Sequence, residues 1–82
     1  MAWAILSGVK RLVRPQTARQ RFGAAVRAQR RELGWSQEDL AEQCGLNQSY
    51  IGGVERGERN LTIDNMERIA LALDVTLAEL LQ

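Results

Sequence analysis

An 82-residue chain has room for one small domain with a thin core, which makes self-association a natural aid to stability. It holds no histidine and one cysteine, Cys44. The usual general base and the commonest metal ligand are therefore missing, and neither an internal disulfide nor a cysteine zinc site can form. The formal net charge of +1 hides an asymmetry: residues 1–31 carry eight Lys and Arg and no acid, whereas residues 32–82 carry ten acids against Arg56, Arg59 and Arg68.

The basic start suits a polyanion such as DNA; alternatively, the two halves neutralise each other across the fold. No apolar run approaches the ~20 residues that span a bilayer. Residues 1–9 are apolar, but the charges follow them rather than precede them, the reverse of a secretory signal. A cytoplasmic protein with no membrane, metal or cofactor requirement is expected. Nothing has the look of catalytic machinery, so an enzyme is not expected. Cys44 is expected as core filler.

A single proline and little β-branched clustering predict an all-α fold. Residues 1–17 form a basic and apolar N-terminal arm, set off by Arg14-Pro15, since proline disfavours helix in the residue before it. Residues 18–82 form the domain. Its first helix begins between Thr17 and Arg19 and runs to about Leu33, with Phe22, Val26 and Leu33 as the buried stripe and Gly34 just past the end. Ser36 caps the second helix, paired with Asp39 in a short-armed capping box, and Trp35 with Leu40 makes a hydrophobic staple. Leu40, Ala41 and Cys44 face inward, Gly45 ends the helix, and Leu46 plugs the turn. Asn47 caps a third helix from Gln48 to about Arg56, with Ile51 and Val54 in the core. After a polar loop over 57–60, Thr62 caps a fourth helix. Its Ile63, Met66, Ile69, Ala70 and Leu73 recur at helical intervals on one face. Asp74-Val75 is a turn, and Thr76 with Glu79 opens a short fifth helix carrying Leu77, Leu80 and Leu81.

The stretch 37–56, QEDLAEQCGLNQSYIGGVER, is the most informative. The small Ala41, then Gly45, then the branched apolar Ile51 and Val54 have the spacing of a DNA-binding helix-turn-helix. The small residue lets two helices approach, the glycine takes a positive φ at the turn, and Ile51 with Val54 at i, i+3 buries one face of the second motif helix. Such a unit presents that helix to the major groove.

Five short helices with this motif as the second and third resemble the lambda repressor/Cro (XRE) DNA-binding domains, over about Arg19 to Leu81. Within that family, SQEDLA at 36–41 and YIGGVERGERNLT at 50–62 look closest to controller proteins of restriction–modification systems. Those are small homodimeric regulators that bind an operator upstream of their own gene. Three features depart from the pattern. The arm has no counterpart, Asp74 stands where a helix-terminating glycine is usual, and Gly52 and Gly53 both lie inside the recognition helix.

Gln37 opens the second helix, where free amides favour a phosphate and its side chain adds a donor. The resemblance implies that this position clamps the DNA backbone. Gln48 and Ser49 begin the third helix without a core role at their spacing, so they are the candidate base contacts. Tyr50 either joins them, at a backbone or base step, or packs against the fourth helix. Gly52 and Gly53 together cost roughly 2 kcal/mol of helix propensity against alanine. Close approach to DNA, with Gly52 as a contact, or tight packing against a neighbour would explain them. The resemblance implies that Arg30 pairs with Glu55 and is turned toward the DNA backbone. Arg56, Arg59 and Asn60 would form a second phosphate clamp; each arginine alone is otherwise a solvated charge. Leu73, Leu77, Leu80 and Leu81 either form the dimer interface that the resemblance implies or only close the core of one chain.

These residues point to a sequence-specific transcriptional regulator that binds a palindromic operator as a homodimer, of the restriction–modification controller kind. The alternative is an antitoxin that binds a toxin protein and autoregulates its operon. A third reading, an interaction module that has lost DNA binding, is opposed by Gln37, Gln48, Arg56 and Asn60. The expected partners are double-stranded DNA and a second copy, with a toxin or RNA polymerase as a protein partner.

Overall fold

The structure is a computed structural model and describes residues 16–82; of the basic arm expected at 1–17, residues 1–15 lie outside the described residues. The described residues form five helices and no strand: α1 (Ala18–Glu32), α2 (Gln37–Cys44), α3 (Gln48–Glu55), α4 (Ile63–Leu73) and α5 (Leu77–Leu80). None of them is long and apolar enough to cross a membrane.

Each helix starts at a side chain that satisfies a free amide. Thr17 Oγ1 accepts from the Gln20 amide at 3.2 Å, and Gln20 Oε1 accepts from the Thr17 amide at 2.9 Å. This full capping box makes Thr17 part of the domain rather than of the arm. Ser36 and Asp39 exchange the same two bonds at 3.0 and 2.8 Å, as the sequence predicts. Asn47 caps α3 through the Ser49 amide at 2.7 Å, and Thr62 caps α4 through the Asn65 amide at 3.1 Å. At α5, Glu79 accepts from the Thr76 amide and hydroxyl, and these bonds hold its carboxyl below the usual carboxylate range.

Helix ends close through left-handed residues. Gly45 has φ 68°, and the Leu46 amide then donates to the Ala41 carbonyl at 3.0 Å, a Schellman closure that turns α2 into α3. Asp74 does the same after α4 with φ 58°, and is the only described non-glycine residue at positive φ. The departure noted in the sequence is therefore accommodated without changing the turn, at some conformational strain.

Phe22, Val26, Leu40, Ile51, Val54, Ile69 and Leu80 are fully buried and meet in one core. Burying each such side chain contributes about 1.5–3 kcal/mol. Cys44 lies in the same core, and burial pushes its thiol pKa up, so it is filler rather than a nucleophile. The core also explains where α3 sits. A Cβ on Gly23 of α1 would lie 2.2 Å from the Val54 carbonyl oxygen, so α1 and α3 cross with backbone against side-chain-free backbone.

Three expectations need correction. Leu33 is 45% exposed, because it is the C-cap of α1 and no longer follows the helical stripe; Arg30, at i+4 from Val26, takes the stripe position and is buried. Ile63 is 68% exposed, because it stands at the first position of α4, ahead of the turns that reach the core; Leu61 from the preceding loop packs there. Leu73 and Leu80, considered for the dimer interface, are 2% and 1% exposed within the single chain and close its own core.

Candidate DNA interface

The start of α2 and the start of α3 open onto one polar cleft lined by Gln37, Asn47, Gln48, Ser49, Gly52 and Arg56. The turn at Gly45 is what brings them together, since it aims both helix N-termini to the same side. Gln48 and Ser49 are exposed, whereas Gly52 forms the floor and is covered by its neighbours. A Cβ there would sit 3.1 Å from Arg56 Nη1 and 3.5 Å from Gln37 Oε1. Exposed amide and hydroxyl groups beside a guanidinium and two helix N-termini suit base edges and phosphate together.

Beneath the cleft, Arg30 holds α1 to α3. Its Nε donates to Glu55 Oε2 at 2.6 Å and its Nη2 to Glu55 Oε1 at 3.0 Å, while Nη1 donates to the Trp35 carbonyl at 2.7 Å. The two side chains are only 10% and 3% exposed. The hydrogen bond to Glu55 raises the Arg30 pKa above the ordinary arginine value, and burial opposes it. Gln37 joins the network by donating from Nε2 to Glu55 Oε1 at 3.1 Å. The pairing of Arg30 with Glu55 is thus present, but Arg30 is a buried tie rather than a free phosphate ligand, which corrects its place in the site.

Three further residues lie elsewhere. Tyr50 leans on α4, where its hydroxyl accepts from Asn65 Nδ2 at 3.3 Å, and the Arg59 guanidinium stands over its ring at 5.4 Å from the centroid. Arg59 and Asn60 border a separate groove with Ala18, Phe22, Leu61 and Leu81. Arg56 pairs with Glu58 at 3.1 Å, both of them exposed. Arg27, not among the residues that the sequence pattern singles out, is exposed on α1 and lines a second cleft with Arg30, Gln37, Glu55 and Arg56. Its spacing from Arg30, i to i+3, was the available signal.

A helix-turn-helix that opens both its helix starts onto a polar, arginine-edged cleft defines a DNA-binding transcriptional regulator. Comparison agrees: the family described as Helix-turn-helix matches residues 26–80. Control protein C.BamHI of Bacillus amyloliquefaciens is 46% identical over 61 residues, covering 73% of this chain and 75% of that protein. A hypothetical transcription factor of Neisseria meningitidis serogroup B is 50% identical over 48 residues, 58% of this chain but only 45% of that protein. Among solved structures, the restriction–modification controller protein C.AhdI from Aeromonas hydrophila superposes with a TM-score of 0.73 at 47% identity, over 76% of this chain and 94% of that one. SinR in complex with DNA superposes with a TM-score of 0.70 at 34% identity, over 74% of this chain and 98% of that one. The chain belongs to this helix-turn-helix family. Regulators and controllers are what these relatives are called, and the antitoxin alternative gains nothing from them.

Proposed function

We propose that the chain is a homodimeric, operator-binding regulator of the restriction–modification controller kind, acting in the cytoplasm where its DNA lies. The observation that carries this reading is the cleft shared by Gln37, Gln48, Ser49 and Arg56. In it, Gln48 and Ser49 read base edges, while Gln37 and Arg56 hold phosphates on either side. The two controller relatives add support, since they match most of the described domain. One short recognition helix gives few base contacts, so a second copy is needed for affinity, and a twofold pair reads an inverted repeat. With Leu73 and Leu80 in the core, the apolar surface left for that copy is Leu81, at 41% exposure, with half-buried Leu77 and exposed Leu71.

The test is selection from random duplexes followed by binding assays. The chain should return an inverted repeat with half-sites about one helical turn apart. Gln48→Ala should relax one base position per half-site at roughly 1–3 kcal/mol per contact, whereas Arg56→Ala should weaken all duplexes alike and flatten the salt dependence. Single unpaired sites, or an unchanged base preference in Gln48→Ala, would overturn the reading.

A further inference from the structure

Gly52 and Gly53 stand in succession inside α3, in a helix interior where alanine is the better helix former. Gly52 floors the cleft, but Gly53 does not line it. Gly53 is nevertheless buried, and one side chain lies closest to where its own would be. The three atoms nearest to a Cβ built on Gly53 all belong to Arg59: Nε at 2.8 Å, Cγ at 2.9 Å and Cδ at 3.3 Å. The Arg59 stem therefore lies directly across the α3 backbone. Its guanidinium then reaches the face of Tyr50, one turn earlier on the same side of the helix. Tyr50 is itself held by Asn65 from α4.

We infer that Gly53 is a positioning residue of the DNA interface: its bare backbone seats the Arg59 stem so that Arg59 approaches DNA in one set pose. This rests on the reading of Arg59 as a phosphate contact. A free surface arginine must lose many rotamers when it binds, and a seated one has already lost them. The cation–π contact with Tyr50 fixes the end of the chain while the seat fixes its middle. Any side chain at 53 fills the seat. Because the displaced group is a flexible stem rather than backbone, the helix itself can stay in place.

The experiment pairs side-chain NMR on arginine-labelled protein with binding to a mixed-sequence duplex at low salt. In the wild type, the Arg59 side-chain resonances should show the ring-current shift of Tyr50. Gly53→Ala and Tyr50→Leu should each return them to solvent-exposed values. Gly53→Ala should melt no lower than the wild type, since alanine favours the helix, yet bind the duplex roughly three- to tenfold more weakly, the scale of one phosphate contact. In an Arg59→Ala background, the same change at 53 should alter affinity less than about twofold, because the seat has lost its occupant. Unmoved Arg59 resonances in Gly53→Ala, or an equal loss of affinity in both backgrounds, would overturn the proposal. If Arg59→Ala alone leaves duplex binding intact, the phosphate reading of Arg59 falls and takes the proposal with it. If Arg59→Ala weakens binding but Gly53→Ala does not, only the seat is wrong.

Discussion

Gly23→Ala should be among the most damaging single-methyl changes available in this domain. The added Cβ would stand 2.2 Å from the Val54 carbonyl oxygen, 2.9 Å from the Glu55 oxygen and 3.0 Å from the Glu55 carbonyl carbon. Carbon–oxygen contacts settle at about 3.3–3.6 Å, so the first of these is short by more than ~1 Å. None of the three neighbours is a side chain that can rotate away. All are α3 backbone, so α3 must move as a body away from α1. That movement pulls on Ile51 and Val54 in the core and on the Arg30–Glu55 pair. Overpacking of this kind costs about 1–3 kcal/mol and a rigid backbone neighbour puts it at the upper end, while alanine returns up to ~1 kcal/mol of helix propensity. The net loss is about 2 kcal/mol, which lowers the melting temperature by roughly 10–15 °C in a domain of this size. Thermal unfolding followed by far-ultraviolet circular dichroism measures it directly. A melting temperature equal to the wild type's would show that the α1–α3 crossing is looser than these distances state, and the placement of the recognition helix would have to be revised.

Glu55→Ala strands the buried Arg30 guanidinium without its carboxylate and should cost about 3–5 kcal/mol in urea denaturation. The double replacement Arg30→Met with Glu55→Met should cost less than that single change, and the opposite order would contradict a buried ion pair. Glu58→Gln should raise affinity for mixed-sequence DNA by up to about fivefold in fluorescence anisotropy, since it releases Arg56 from an exposed pair worth ~0.2–1 kcal/mol and removes an acid beside it. Unchanged or weaker binding would mean that Arg56 does not face phosphate. Glu79 has its pKa lowered by its bonds to Thr76, so its contribution is present above the unfolded-state value and disappears as pH falls through the folded one. The Thr76 and Glu79 amides should therefore lose exchange protection in acid, and Glu79→Gln should abolish that dependence.

What the sequence disclosed was mostly local. The caps at Ser36, Asn47, Thr62 and Thr76 reach only two or three residues along the chain, so their residue types and spacings identify them. The Ala41–Gly45–Ile51–Val54 spacing disclosed the motif because close helix packing and a positive φ limit those positions to few residue types. What stayed hidden depends on partners distant in sequence. Periodicity assigns Ile63 to a helix face but not to a turn that meets the core. Leu73 and Leu80 follow the same apolar pattern whether they close one chain or join two. Gly23 looks like an ordinary weak point in a helix until the Val54 carbonyl, far along the chain, is placed against it. Arg30 breaks the apolar stripe of α1, and only the facing carboxylate of Glu55 accounts for that.

That carboxylate also raises a problem for a DNA-binding surface, because an acid beside phosphate is repulsive. The network resolves it. Glu55 accepts from Arg30 through both oxygens, so the pair is neutral and largely sealed from solvent. The remaining bond from Gln37 Nε2 to Glu55 Oε1 fixes the Gln37 side chain at the lip of the cleft. A primary amide has two N–H groups, so one is still available to a phosphate oxygen after Glu55 has taken the other. Glu55 thus orients the residue expected to clamp DNA without presenting a charge of its own. The exposed cations nearby are Arg56, which lines this cleft and the second one, and Arg27, which lines the second. The same interaction that pins α1 to α3 therefore also neutralises the acid beside the cleft.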